Sequence, residues 1–332
     1  MARLTKKAKF TIGWVFLCFF LVVILLFFFQ PFDLVGGYVN ETVVVTSELT
    51  VGNVYPEILN VSINNDADSV TLVPNSTTTV SCVAVIRDFN GEGDINISGK
   101  TIARFYDSAV SSYDDADDNN YHYSNNSCIF NETFGSYNGY NDDEYTLLAN
   151  CTFDVWYYAN NQTWICEIVS NDTYDYSDSD SDNITIDTLI AIGLPSTINY
   201  GTVNATFVSD ENITNVTNFG NVKINLSLSG YAFEEGDGLA MNCTLGAIKN
   251  ISIYYEKYNL TASNPGQLSL TEFENLYTNL TSNPVIKEFN LNYRQNDTVN
   301  KATNETYWRI YVPTGVAGTC QGNIVFAATQ GG

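Results

Sequence analysis

After about residue 53 the chain alternates apolar and polar residues with period two, the signature of strands with one buried face. In the first half the alternating runs are Glu57–Ile63, Ser69–Val73, Thr77–Arg87, Lys100–Tyr106, Tyr145–Tyr158 and Thr163–Val169. Turn signals such as Asn90-Gly91 and Asn160-Asn161 separate them. In the second half the same alternation runs through Val222–Leu228, Ile251–Tyr255, Trp308–Val312 and Asn323–Phe326, and Leu268–Leu280 reads as a short helix or a crossing loop. The pattern predicts an all-β chain with two sandwiches, at 54–170 and 184–332. Two stretches break the alternation. Residues 111–143, crowded with Asp, Asn, Ser, Tyr and Gly, read as a long polar insertion in the first sandwich. Residues 171–183, which include NDTYDYSDSDSD, read as an acidic linker between the two.

The N-terminal end has a different pattern. Phe10 to Phe29 is an uncharged run of 20 residues, long enough at about 1.5 Å per residue to span a hydrocarbon core of about 30 Å. It reads as an uncleaved signal anchor. A cleaved signal peptide would have a shorter apolar region ending in small residues, and a pilin-like helix packed in a filament core is the other alternative. Arg3, Lys6, Lys7 and Lys9 precede the run. The positive-inside rule therefore predicts a cytoplasmic tail at 1–9, a membrane helix at 10–29 and an extracellular remainder. Residues 30–53 form a stalk with a β-rich stretch at Thr42–Thr46.

Charge narrows the partners. Beyond the first nine residues, 10 basic residues face 37 acids, a net of −27. Such a surface repels nucleic acid, so nucleic-acid binding is excluded as a function class, and it can collect cations only loosely.

Six cysteines follow the anchor, an even number that suggests three disulfides in an exported segment. Cys82 shares a strand face with Val80 and Ala84, and Cys166 shares one with Trp164 and Ile168, so both point into a core. A Cys82–Cys166 bond would bridge two sheets. Cys128–Cys151 then closes a local loop, and Cys243–Cys320 remains for the second sandwich. Cys18 lies inside the membrane run.

Several of these short motifs look familiar. Val80, Cys82 and Ala84, with the later Trp164 and Cys166, resemble the strands of immunoglobulin-like surface domains, and Phe153 to Asp172 is similar to the closing hairpin of such modules. Residues 199–203 (NYGTV), 218–222 (NFGNV) and 318–326 (GTCQGNIVF) resemble immunoglobulin-like modules of archaeal-type cell-surface proteins. The resemblance implies two immunoglobulin-like sandwiches behind a single N-terminal transmembrane helix, displayed at a cell surface. It does not by itself imply an activity.

The sequon N-x-S/T occurs at 20 positions, from Asn40 to Asn304. In an alternating strand such an Asn points outward, where glycan attaches, which singles out Asn60, Asn96, Asn183, Asn225, Asn250, Asn259, Asn279 and Asn304. Catalytic chemistry is not evident. His122, the sole histidine, sits in the insertion and reads as a surface residue, and no nucleophile elbow, phosphate loop or dinucleotide fingerprint occurs. The chain is read as a non-enzyme without cofactor. Metal sites are not assigned. Asp178, Asp180 and Asp182 imitate the start of a calcium loop, but Asn183 stands where Gly is needed and Leu189 where Glu is needed. The insertion offers candidate binding residues in Tyr121, Tyr123, Tyr137 and Tyr140, aromatic rings among small polar neighbours, with Asp114, Asp115, Asp117 and Asp118 as a possible cation helper. Two functional readings follow: a membrane-anchored, glycosylated structural or adhesive envelope protein, or a receptor-like ectodomain that recognises glycan or protein through 111–143. Its partners are then the membrane, through the N-terminal helix, and envelope proteins or glycans.

Overall fold

A computed structural model describes residues 44–298 and 301–332. The expected tail, the membrane helix at 10–29 and most of the stalk lie outside the described residues. Among the described residues no helix is long and apolar enough to cross a membrane. Residues 44–52 are exposed without regular structure, so the described part of the stretch Thr42–Thr46 is not a strand. Asn53 to Gly332 form one compact unit, in which two lobes with separate hydrophobic cores can be distinguished.

The first lobe contains β1 (Glu57–Ile63), β2 (Ser69–Val70), β3 (Thr77–Arg87), β4 (Thr101–Asp107), β5 (His122–Asn125), β6 (Ile129–Asn131), β7 (Ser136–Tyr137), β8 (Tyr140–Asn141), β9 (Thr146–Trp156), β10 (Thr163–Asn171) and β11 (Ser177–Ile186). One sheet has the order β1-β3-β9-β6 and the other β2-β11-β10-β4-β5. Period two places Val80, Cys82, Ala84 and Ile86 of β3, Leu147 to Val155 of β9 and Trp164, Cys166 and Ile168 of β10 in the space between them. There the Phe105 ring lies 4.8 Å from Trp164 and 5.6 Å from Phe153. Cys82–Cys166 ties β3 of one sheet to β10 of the other, and Cys128–Cys151 ties the approach to β6 onto β9. Closing loops of 84 and 23 residues removes unfolded-state entropy worth roughly 3–5 kcal/mol each.

The residues read as an acidic linker are largely a strand. β11 pairs antiparallel with β10 from Ser177↔Asn171 through Thr185↔Thr163. The first lobe therefore ends at Ile186 rather than residue 170, and the passage to the second lobe is only 187–191. Ser-Asp alternation is itself period two, and here the acids have partners. Asp178 accepts the Ile58 N–H at 2.8 Å, and Asp182 accepts the Ile63 N–H at 3.1 Å. Both donors lie on β1, whose ladder partner is β3. Carboxylates thus stand in for a second strand along the free edge of β1.

The second lobe contains β12 (Ile192–Gly193), β13 (Asn212–Asn218), β14 (Ile224–Tyr231), β15 (Leu239–Gly246), β16 (Asn250–Ser252), β17 (Glu256–Asn259), β18 (Thr278–Asn279), β19 (Val285–Leu291), β20 (Ala302–Ile310), β21 (Val316–Gln321) and β22 (Asn323–Gln330). A five-stranded sheet, β12-β13-β20-β17-β18, faces the three-stranded sheets β19-β14-β22 and β16-β15-β21. Trp308 is fully buried at the centre, its ring 5.4 Å from Tyr258 and 5.3 Å from Phe326. Cys243 and Cys320, register partners on β15 and β21, are bonded. The ambiguous 268–280 stretch forms helix α1 (Leu270–Leu276), started by a reciprocal Ser269–Glu272 capping box, and then β18.

Candidate functional site: the insertion and the lobe junction

The insertion at 111–143 is built into both sheets rather than looping out. β5 extends one sheet beyond β4, and β6 extends the other beyond β9. β7 and β8 form a two-residue hairpin across Asn138-Gly139, both with positive φ, 46° and 85°. That is the backbone an Asn-Gly turn favours.

The four tyrosines do not converge. Tyr123 is buried, its hydroxyl donating to the Asn119 carbonyl at 2.7 Å and accepting the Trp156 N–H at 2.9 Å. It is a core residue with both hydrogen-bonding needs met, so its reading as a ligand contact is corrected. Tyr121 is half-buried in the turn just before β5, and its carbonyl accepts the Asp107 N–H at 2.9 Å. Tyr137 and Tyr140 sit instead on the hairpin. The Tyr137 hydroxyl pairs with Ser62 at 2.6 Å, and that of Tyr140 donates to the Leu59 carbonyl at 2.9 Å. Ser62 opposes Val83 in register on the outer face of the sheet, so the hairpin covers that face and buries Val83 and Val85.

His122 is fully buried, not a surface residue. Its Nδ1 is 3.1 Å from Asp117 Oδ1, its Nε2 is 3.4 Å from the Tyr113 carbonyl, and its ring stacks on Tyr106. The acids around it serve local turns. Asp115 accepts the Ser112 N–H and the hydroxyls of Ser111 and Ser112, and Asp118 accepts the Asn120 N–H.

What the insertion does bring together is the two lobes. The Asn120 amide donates to the Tyr158 carbonyl at 2.9 Å and, across the junction, to the Arg294 carbonyl at 2.7 Å. Asn119 Nδ2 and the Tyr158 hydroxyl both reach Asp297 Oδ1, at 2.9 and 3.1 Å. The Arg294 guanidinium lies 4.4 Å from the Tyr158 ring centroid, and Tyr293 donates to Asn160. From the second lobe the buried Asn221 amide donates to the carbonyls of Ala159 and Asp187, both at 3.0 Å, and accepts the Leu189 N–H at 2.7 Å. Phe219 meets Tyr157 edge-on at 5.7 Å. Gly220 lets the backbones touch, because a Cβ there would stand 2.1 Å from the Leu189 carbonyl oxygen. Buried amides with every donor used fix geometry more strictly than apolar contact does.

Among the charged groups buried inside the second lobe, Arg309 and Glu256 have no counterpart in the sequence reading. Arg309 is fully buried and donates to the carbonyls of Ser209, Asn264 and Gly266 and to the Tyr277 hydroxyl. Tyr277 in turn donates to Glu211. The network fastens the irregular segments around 209 and 264–266 over β20. Glu256 lies on the wall of a cleft of about 640 Å³, with Tyr200, Met241 and Phe326. Burial pushes its carboxyl up to about 8, against the opposing pull of the Tyr200 hydroxyl donating at 2.9 Å. Alternation places Arg309 opposite Trp308 and Glu256 in step with Tyr258, but alternation alone does not say what covers either face.

The eight selected sequon asparagines differ in placement. Asn96, Asn183, Asn250 and Asn304 are exposed; Asn60, Asn225, Asn259 and Asn279 are half-buried. Asn225 Oδ1 accepts the N–H groups of Phe289 and Asn290, and Asn259 Nδ2 donates to the Leu276 carbonyl.

No family profile matches the chain, and no curated protein matches it. Several solved structures are similar at low level. One is the CsuC–CsuE chaperone–tip adhesion subunit pre-assembly complex from archaic chaperone-usher Csu pili of Acinetobacter baumannii. It is 9% identical over 78% of this chain and 96% of the other, with a TM-score of 0.35. A chaperone–tip adhesin complex of CFA/I fimbriae biogenesis is 11% identical over 83% and 81%, with a TM-score of 0.26. A chimeric titin Z1Z2 is 11% identical over 63% and 88%, with a TM-score of 0.19. Likeness at this level carries no argument about activity, and the functional reading rests on the chain's own residues.

Proposed function

We propose that this chain is a structural or adhesive component of a cell envelope, held by its N-terminal apolar run and projecting one stiff two-lobed body outward. The carrying observation is the junction. Asn120, Asn221 and Gly220 lock two disulfide-braced sandwiches together, an arrangement that transmits load and holds a fixed shape. Three disulfides suit an oxidising compartment. The basic tail ahead of residues 10–29 orients the body outward, and the exposed sequons at Asn96, Asn183, Asn250 and Asn304 are the preferred glycan attachment points. Envelope proteins or glycans are the proposed partners. The hydroxyls of Tyr123, Tyr137 and Tyr140 are spent on the lobe's own fold, which favours this role over ligand capture by the insertion.

The test is made on intact cells carrying one epitope at the N-terminus and another at the C-terminus. Added protease should remove the C-terminal epitope and spare the N-terminal one, and cross-linking should join the ectodomain to neighbouring envelope components. A protected C-terminal epitope would overturn the reading.

A further inference from the structure

Three aspartates from separate segments meet in the first lobe. Asp88 follows β3 directly, Asp94 ends a single 3-10 turn (Glu92–Asp94), and Asp172 opens the β10–β11 turn. One carboxylate oxygen from each lies within 4.8 Å of the other two. Asp88 and Asp172 are fully buried, and Asp94 is half-buried. Among the described residues, the ion pairs formed by Lys, Arg or His involve other acids. Three carboxylates this close repel strongly where water cannot screen them.

Hydrogen bonds account for only part of the cluster's oxygen. Asp88 Oδ1 accepts the Asn90 N–H at 2.8 Å, and Asp172 Oδ1 accepts the N–H groups of Tyr174 and Tyr176 at 2.8 and 2.9 Å. Thr173 donates to Asp94, and Asn53 Nδ2 donates to Asp172 Oδ2. Three oxygens remain buried without a donor: Asp88 Oδ2, Asp94 Oδ2 and Asn53 Oδ1. The first belongs to a side chain with 0% exposure. The last belongs to the amide that already grips Asp172. A buried acceptor without a donor is costly, and a fully buried anion more so. Burial, followed by the charges of Asp94 and Asp172, pushes the Asp88 carboxyl above its ordinary range, while its bond from Asn90 opposes this. The site is short of positive charge in the middle.

We infer that Asp88, Asp94, Asp172 and the Asn53 side-chain carbonyl form a cation site, and that its ion is calcium. The donors are all oxygen, anionic and carbonyl, drawn from separate segments, which suits a hard ion that tolerates irregular coordination. With no His or Cys in the set, zinc and copper are poorly served. The ion would join the ends of β3 and β10 and the 3-10 turn to Asn53, the first residue of the compact unit. It would brace the lobe where the stalk enters it. Of the acidic runs that stand out in the sequence, only Asp172 belongs to this site. Asp178 and Asp182 hold β1, and Asp115 and Asp118 hold their own turns.

The test uses the full chain in detergent, stripped with chelator and titrated with calcium chloride by calorimetry and by thermal unfolding. Wild type should bind one equivalent saturably, and its melting temperature should climb with free calcium as mass action requires. Asp88→Asn and Asp172→Asn should lose the binding and the climb. Without calcium, Asp88→Asn should melt no lower than wild type, because it removes repulsion, and this keeps a folding failure distinguishable from lost binding. A control variant, Asp114→Asn with Asp118→Asn, should bind as wild type does. No saturable binding by wild type at millimolar calcium, or undiminished binding by both aspartate variants, would overturn the inference.

Discussion

Glu256 is buried beside an uncharged hydroxyl, with Oε2 left without a donor. Its carboxyl titrates near 8 in the folded chain and near 4.5 when unfolded. Between those values the folded state holds a proton that the unfolded state has released. The group's contribution is therefore fully present below pH 4.5 and is lost as pH rises to about 8, at about 1.4 kcal/mol per pH unit. Glu256→Gln has no proton to lose and can still accept from Tyr200. Thermal melts from pH 5 to pH 8 should show wild type falling steadily relative to this variant, with the variant the more stable at pH 8. Parallel profiles would mean that Glu256 is solvated and ionised throughout. At this scale the sequence was legible where a residue's role depends on its own strand. Cys82, Cys166 and Trp164 point inward because alternation requires it. It was not legible where burial is imposed from outside. His122, Tyr123, Arg309 and Glu256 carry polar atoms whose partners come from segments that periodicity cannot place.

Elements were legible where hydrophobic alternation carried them. β3, β9, β10 and β14 lie within or close to the runs that alternation marks, whereas the run Trp308–Val312 catches only the last three residues of β20. Two of the misread stretches, 111–143 and 171–183, share a cause, which is that polarity was taken for solvation. β11 reads Ser-Asp-Ser-Asp-Ser-Asp, yet its backbone is paired with β10 along its length and its acids serve β1. The insertion has little apolar content, yet β5 and β6 extend existing sheets, where main-chain bonding makes few demands on side chains. An open strand edge is a template for association, and inward charge is one way to block it. Replacing Asp178 and Asp182 by Ala should leave the Ile58 and Ile63 N–H groups without acceptors, at about 1 kcal/mol or more each. Urea unfolding should show a lower midpoint, and light scattering should show association that grows with concentration. A monomeric double variant with an unshifted midpoint would mean that solvent satisfies β1 equally well.

At the scale of the molecule, two lobes with their own disulfides can either unfold separately or act as one body, and the junction decides which. Its contacts are few, but the amides at their centre, Asn120 and Asn221, are buried. Asn221 spends both amide groups across the passage at 187–191, Asn120 reaches from the insertion to the 293–298 loop, and Gly220 lets the two backbones meet. None of this was legible in the sequence, because residues 218–222 read only as a short motif resembling immunoglobulin-like modules and only the folded lobes show what it touches. Gly220→Ala forces a Cβ to within 2.1 Å of the Leu189 carbonyl oxygen, an approach that backbone on both sides must relieve by moving apart. Asn221→Ala leaves the Leu189 N–H and the Ala159 and Asp187 carbonyls without their amide partner, at about 1–3 kcal/mol for a group that is buried, as the Ala159 bond is. Wild type should therefore melt in one calorimetric transition. Each variant should melt in two, because the lobes keep their own cores and disulfides while losing their coupling. Small-angle scattering should report a broader range of shapes, and limited proteolysis should cut first at 187–191. A single transition in Gly220→Ala, with scattering unchanged, would show that the lobes are coupled by something other than this junction, and the stiff-body reading of the molecule would lose its support.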